Sequence, residues 1–190
     1  MVTRRVAQFE REFDVAVSWW PYELHPETPP EGRSVDDLLR RSGRANDAYR
    51  ENLKAYAAEA GITLASNRWL SNSHRALELA EFARDRGKFD QVHMALFVAY
   101  FEQARDIGDI DVLMEIAAEH SLDPDEFGIE ILNGRYAALI DRTTAIARER
   151  GFTSTPTMIF DDQVMIPGAQ DYNVYESVLG RLGARRREDG

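Results

Sequence analysis

The sequence predicts an α/β domain carrying a large helical insertion, and three observations support that fold class. The stretch Phe13–Trp20 reads as a β-strand, with Val15, Val17 and Trp19 recurring at every second position. From Ser34 to Gly151 the apolar residues recur at helical spacing instead. Then two short apolar runs, Met158-Ile159-Phe160 and Val164-Met165-Ile166, flank the turn-prone pair Asp161-Asp162 and read as a β-hairpin. Strand, helical block, hairpin and final helix is the order of an α/β or α+β domain with an insertion. The expected division is 1–32 with 152–190 for the α/β part, and 33–151 for the helical insertion.

Taken in order, Val2, Val6, Phe9 and Phe13 form one apolar stripe, so the chain opens in an amphipathic helix. The expected strand follows, with Val15, Val17 and Trp19 on one face and Ala16, Ser18 and Trp20 on the other. Pro21 ends it, and Pro26, Pro29 and Pro30 make an extended linker to Gly32. Ser34 with Asp37 is a capping-box-like helix start. Ala45, Tyr49, Leu53, Tyr56 and Ala60 form the next stripe, with Gly61 suited to the C′ position. Asn72 or Ser73 caps a helix bearing Ala76, Leu77, Ala80 and Ala83, ended by Gly87.

Val92, Leu96, Phe97, Tyr100, Phe101 and Ala104 predict a wide apolar face. Asp109 caps a short helix with Val112, Leu113 and Ile116. Asp123-Pro124-Asp125-Glu126 combines a capping Asp, Pro at N1 and first-turn acids. Tyr136, Leu139, Ile140, Ile146 and Ala147 lie on the last helix of the block, closed by Gly151. After the hairpin, Tyr172, Tyr175, Val178, Leu179 and Leu182 predict a C-terminal helix.

Composition narrows the function classes. Lys and Arg number 23 against 33 Asp and Glu, a net charge of −10, which argues against a general nucleic-acid binder. The basic run Arg185–Arg187 reads as a frayed, solvated tail. No apolar run approaches the ~18 residues of a membrane span. Met1 is followed by a charged amphipathic segment rather than a signal peptide, so the cytoplasm is the expected location. There is no cysteine, which excludes disulfides and zinc–thiolate sites within these residues.

Few residues carry a chemical signal. His25, His74, His93 and His120 have no zinc-binding spacing and read as surface or partly buried imidazoles. Asp106 and Asp109 fit helix capping better than a calcium loop. No phosphate-binding glycine loop or nucleophile elbow is present, so no catalytic residue, cofactor or metal ligand is assigned. Thr155-Pro156 is the exception. An X-Pro bond takes the cis form at a cost of only ~0.5–1 kcal/mol. A cis-proline entering a strand exposes the N–H and C=O of Thr155 to a docking peptide. On residues alone, the favoured reading of Pro156 is a proline that simply starts an edge strand.

Thr155-Pro156-Thr157-Met158-Ile159-Phe160, with Gly168-Ala169-Gln170 after it, resembles the cis-proline hairpin of DsbA-like, thioredoxin-fold proteins. The nearest branch is the cytoplasmic one, often labelled polyketide-associated thiol-disulfide isomerases. Pro21–Pro26 with Pro29-Pro30-Glu31-Gly32, Asn72–Leu77, and Ala95–Phe101 with Arg105–Asp109 match it in the same order. The resemblance implies a thioredoxin-like fold in which 1–32 and 152–190 form the incomplete thioredoxin-like domain. It also implies a substrate-binding loop at Thr155 and Pro156, and an extended peptide or protein thiol as partner.

The family's first strand and Cys-x-x-Cys have no counterpart here; Met1-Val2-Thr3-Arg4-Arg5 resembles the middle of the helix that follows that motif. A thiolate is the nucleophile of disulfide exchange, so redox inactivity is expected of these side chains. Losing a central strand with three buried aliphatics forfeits roughly 5–9 kcal/mol, against a domain margin of ~5–15 kcal/mol. The expectation is therefore further residues upstream, direct pairing of the two flanking strands, or a strand from another chain, as in a homo-oligomer.

Three functions follow: a thiol-disulfide oxidoreductase relative, a non-redox peptide- or partner-binding protein, or a glutathione-dependent isomerase or transferase relative. The last requires a serine in place of the first cysteine, and none lies near Met1.

Overall fold

In the computed structural model, residues 2–41, 63–65 and 69–187 are described. The stripe Ala45 to Ala60 with Gly61 lies outside them. The chain divides into two units, residues 1–20 with 146–190 and residues 21–145.

In the first unit, helix α1 (Val2–Glu12) forms where the apolar stripe predicts it. Val6, Phe9 and Phe13 from that stripe are buried with Tyr175 and Leu179 of the C-terminal helix. The hairpin forms as β3 (Thr157–Phe160) and β4 (Val164–Pro167), antiparallel, with Ile159 opposite Met165 and Phe160 opposite Val164. Its turn places Asp161 and Asp162 both at positive φ, and the N–H of Gln163 donates to the Phe160 carbonyl at 3.0 Å. Aspartate tolerates the left-handed region through local side-chain hydrogen bonds, so Asp-Asp supplies the backbone of a I′-type turn. One hairpin face sends Met158, Phe160 and Ile166 into the core, while Ile159 and Met165 stay 41% and 47% exposed.

Two expectations for this unit are corrected. The stretch from Val15 to Trp20 is not a strand. Val15 and Trp19 pack against the core, but among the described residues the only ladder contact near them is the single bridge between Phe13 and Arg186. A β-strand needs a hydrogen-bonded neighbour, and among the described residues β3 pairs only with β4, so the segment and β3 do not close up on each other. Alternation alone could not reveal that the partner is missing.

The run Arg185–Arg187 is not a frayed tail either. The N–H of Asp14 donates to the Arg185 carbonyl, and that of Arg187 to the Glu12 carbonyl, both at 2.8 Å. Arg185 and Arg187 also pair with the Asp14 carboxylate. The end of α1 leaves carbonyls without helical partners, and the basic segment supplies donors to them.

The second unit is helical. A two-residue ladder joins β1 (Arg33–Ser34) to β2 (Trp69–Leu70), and α2 (Val35–Arg41) follows, with the Asp37 N–H facing the Ser34 hydroxyl. Helix α3 (His74–Arg84) has Ser73 at its N-cap position, but it is Asn72 Oδ1 that accepts the His74 N–H, at 2.9 Å. Helix α4 (Phe89–Phe97) continues as one π-helical turn, Val98–Glu102. Phe97 and Phe101 on that wide apolar face remain 42% exposed.

Helix α5 (Ile110–Glu119) is capped by Asp109 and α6 (Pro124–Asn133) by Asp123, as the capping signals predict. Gly134, left-handed at φ +65°, separates α6 from α7 (Arg135–Glu149), which ends before Gly151. Leu79, Phe82, Val92, Leu113, Ile116 and Phe127 are almost fully buried in one core. Helix α8 (Tyr172–Arg181) of the first unit completes the chain.

Candidate functional site

The Thr155–Pro156 loop is held from both ends. Behind it, the Phe152 N–H donates to the Ala147 carbonyl at 2.9 Å and the Gly151 N–H to Arg148, so α7 ends immediately before the loop. Within it, the Thr157 hydroxyl donates to the Ser154 carbonyl at 2.7 Å. Ahead of it, the Gly168 N–H donates to the Pro156 carbonyl at 2.8 Å. The Tyr175 hydroxyl accepts the Gln170 N–H at 2.8 Å and donates to the Gly168 carbonyl at 3.3 Å. Tyr175 is itself fully buried between Phe9 and Phe160, so the segment after the hairpin is tied to the core of its unit.

The Thr155–Pro156 peptide is cis. Thr155 is exposed, and neither its N–H nor its C=O has a partner among the described residues. The edge of β3 turned away from β4 has no strand beside it there either. Geometrically, this is an exposed donor and acceptor leading into an open strand edge, next to the apolar side chain of Ile159. Such an edge can accept an extended backbone. Residues 152–157 carry hydroxyl, phenyl and pyrrolidine side chains but no carboxylate, imidazole, amine or thiol.

The histidines do not converge on that loop. His25 Nδ1 lies 3.2 Å from Glu27 Oε1 on the surface of the second unit. His93 stacks on Phe89 and meets Phe97 edge-on along the α4 face, and burial lowers its pKa from the usual imidazole value. His120 ends α5, and its carbonyl accepts the Lys88 ammonium at 2.8 Å.

His74 is the exception that spacing along the sequence did not reveal. Its Nδ1 lies 3.1 Å from Oε2 of Glu23, and its Nε2 lies 3.8 Å from Oε1 of Glu78. Asp141 on α7 brings a third carboxylate, and one ligand atom each from Glu23, His74 and Asp141 lie within 4.8 Å of one another. The Glu23 N–H donates to the Thr144 hydroxyl at 3.1 Å, which anchors Glu23 one helical turn from Asp141. The hydrogen bond to Glu23 raises the pKa of His74 above the usual imidazole value. Burial raises that of Glu78, opposed by the charges of His74 and Arg75 and by the Ala137 backbone. Glu23, His74 and Asp141 are far apart in the chain, and only the helical i,i+4 spacing of His74 and Glu78 hinted at the group.

The family model for a DSBA-like thioredoxin domain matches residues 1–180. The uncharacterized protein YwbO of Bacillus subtilis (strain 168) is 29% identical over 171 residues, covering 87% of this chain and 82% of that protein. Among solved structures, the probable DsbA oxidoreductase SCO1869 from Streptomyces coelicolor superposes with a TM-score of 0.76 at 22% identity, over 89% of this chain and 76% of that one. A 2-hydroxychromene-2-carboxylate isomerase superposes with a TM-score of 0.70 at 17% identity, over 95% of this chain and 87% of that one. These two likenesses show the fold. No helix among the described residues is long and apolar enough to cross a membrane.

Proposed function

We propose, from the premise that this chain belongs to the DSBA-like thioredoxin domain family, that it works as a docking member of that family. It holds an extended peptide or a thiol-bearing ligand by backbone pairing at Thr155, and it does not exchange disulfides through its own side chains. The observation that carries this reading is the free N–H and C=O of exposed Thr155 at the open edge of β3. A ligand backbone laid antiparallel along that edge satisfies both groups, and Ile159 offers an apolar contact for one of its side chains. Disulfide exchange needs an attacking thiolate, and the 190 residues contain none.

The test is a titration followed by amide chemical shifts. Extended peptides form one arm and reduced glutathione the other. Saturable shifts at Thr155, Thr157 and Ile159 are expected. Thr155→Pro removes the docking N–H while leaving the hairpin ladder intact. It should weaken binding about 2–13-fold, the net worth of one hydrogen bond at ~0.5–1.5 kcal/mol. Absence of any saturable shift at millimolar peptide and glutathione would overturn the reading, as would binding that the substitution leaves unchanged.

A further inference from the structure

We infer that Glu23, His74 and Asp141 form a binding site for one first-row divalent cation, with Glu78 supporting the imidazole from behind. The site lies wholly within residues 21–145 and is independent of the Thr155 loop.

The first observation is the donor set. One imidazole nitrogen and two carboxylates present ligand atoms within 4.8 Å of one another. Two donors each ~2.1 Å from a tetrahedral ion sit roughly 3.4 Å apart, so a small closure is needed. Asp141 is exposed and free to supply it by a rotamer change, whereas Glu23 is only 5% exposed and is fixed by the Thr144 contact. A mixed nitrogen–oxygen set suits zinc or manganese(II) better than calcium or magnesium, which prefer oxygen alone.

The second observation concerns a fourth residue, on the far side of the imidazole. Glu78 is 3% exposed, and although the Ala137 backbone acts on this carboxylate, its Oε2 has no hydrogen-bond partner among the described residues. Its other oxygen faces His74 Nε2 at 3.8 Å, beyond hydrogen-bond reach. A ligating histidine ordinarily turns its second ring N–H to a carboxylate, which fixes the tautomer and the ring orientation. With a cation on Nδ1, Nε2 carries the proton and Glu78 becomes its acceptor.

Charge balance points the same way. Three carboxylates surround one imidazole, and two of them are nearly devoid of solvent. Buried carboxylates are costly unless paired, and a cation beside Glu23 supplies that pairing.

The experiment uses the full chain, stripped with a chelator and titrated with manganese(II) or zinc alone. Expected are one saturable equivalent by calorimetry, a rise in Tm with the ion, and manganese-induced broadening of His74 and Asp141 resonances. Asp141→Asn, chosen because an exposed side chain can be changed without unfolding the protein, should weaken affinity at least ~10-fold. Glu78→Gln should weaken it about 10–100-fold, as loss of a supporting carboxylate does. Failure of both ions to saturate at millimolar concentration overturns the inference, and so does binding that Asp141→Asn leaves unchanged. The peptide titration at Thr155 reads the other unit, so either result stands without the other.

Discussion

Tyr175→Phe tests how the docking segment is held. The substitution removes one oxygen and keeps the ring, so contacts with Phe9 and Phe160, at 5.4 and 6.1 Å between centroids, remain. What is lost is the acceptor of the Gln170 N–H at 2.8 Å and the donor to the Gly168 carbonyl at 3.3 Å. Leaving a partly buried amide without its partner costs about 1–3 kcal/mol, and the long second bond adds little, so ~1–2 kcal/mol is expected. Gly168 also donates to Pro156, so its loosening reaches the cis-peptide loop directly.

Native-state hydrogen exchange is the assay. The Gln170 and Gly168 amides should exchange roughly 5–30-fold faster, the factor that one to two kcal/mol represents. Urea unfolding should show a lower midpoint with an unchanged slope. Exchange at residues 168–170 identical to the parent, at equal global stability, would refute the idea that this hydroxyl holds the segment.

Other outcomes follow from individual contacts. Asp123→Ala removes the side chain that accepts both the Asp125 and Glu126 N–H groups, and should cost about 1 kcal/mol by urea titration. Gly32→Ala should cost about 2–3 kcal/mol by the same measurement. Gly32 has φ +76°, and an added Cβ would sit 2.3 Å from Trp69 Nε1 and 2.7 Å from the Leu70 carbonyl, breaking the Trp69-to-Glu31 hydrogen bond. His93, packed between Phe89 and Phe97, favours its neutral form in the folded state because burial lowers its pKa, with Asp90 opposing and Arg84 assisting. Its contribution is therefore complete above ~6.5, the unfolded imidazole value, and is lost as pH falls through the lower folded value. Stability measured from pH 7 to 5 should fall less steeply in His93→Phe than in the parent.

Much of the helical block was legible in the sequence because its signals are local. A capping Asp acts on amides two or three residues away, and both Asp109 and Asp123 do so. Burial along a helix follows its own stripe, as Val6, Phe9 and Phe13 show. The hairpin was legible for the same reason, since its register follows from a turn of adjacent residues. The segment Val15–Trp20 was misread because a strand is a relation between two segments, and the second one is absent among the described residues. The Arg185–Arg187 run was misread because its partners, Glu12, Phe13 and Asp14, are remote in the chain.

The candidate sites divide along the same line. Thr155-Pro156 was visible as a motif, because proline before a strand constrains its immediate neighbour. The group of Glu23, His74, Glu78 and Asp141 was not, because it joins a loop to two helices that only tertiary packing brings together. From residues alone came the helix starts, the hairpin, the lack of cysteine and the family resemblance, all properties of short stretches or of composition. Which backbone edges stay unpaired, and which charges are shut away from water beside one imidazole, were decided by the folded chain, since both depend on contacts between residues dozens of positions apart.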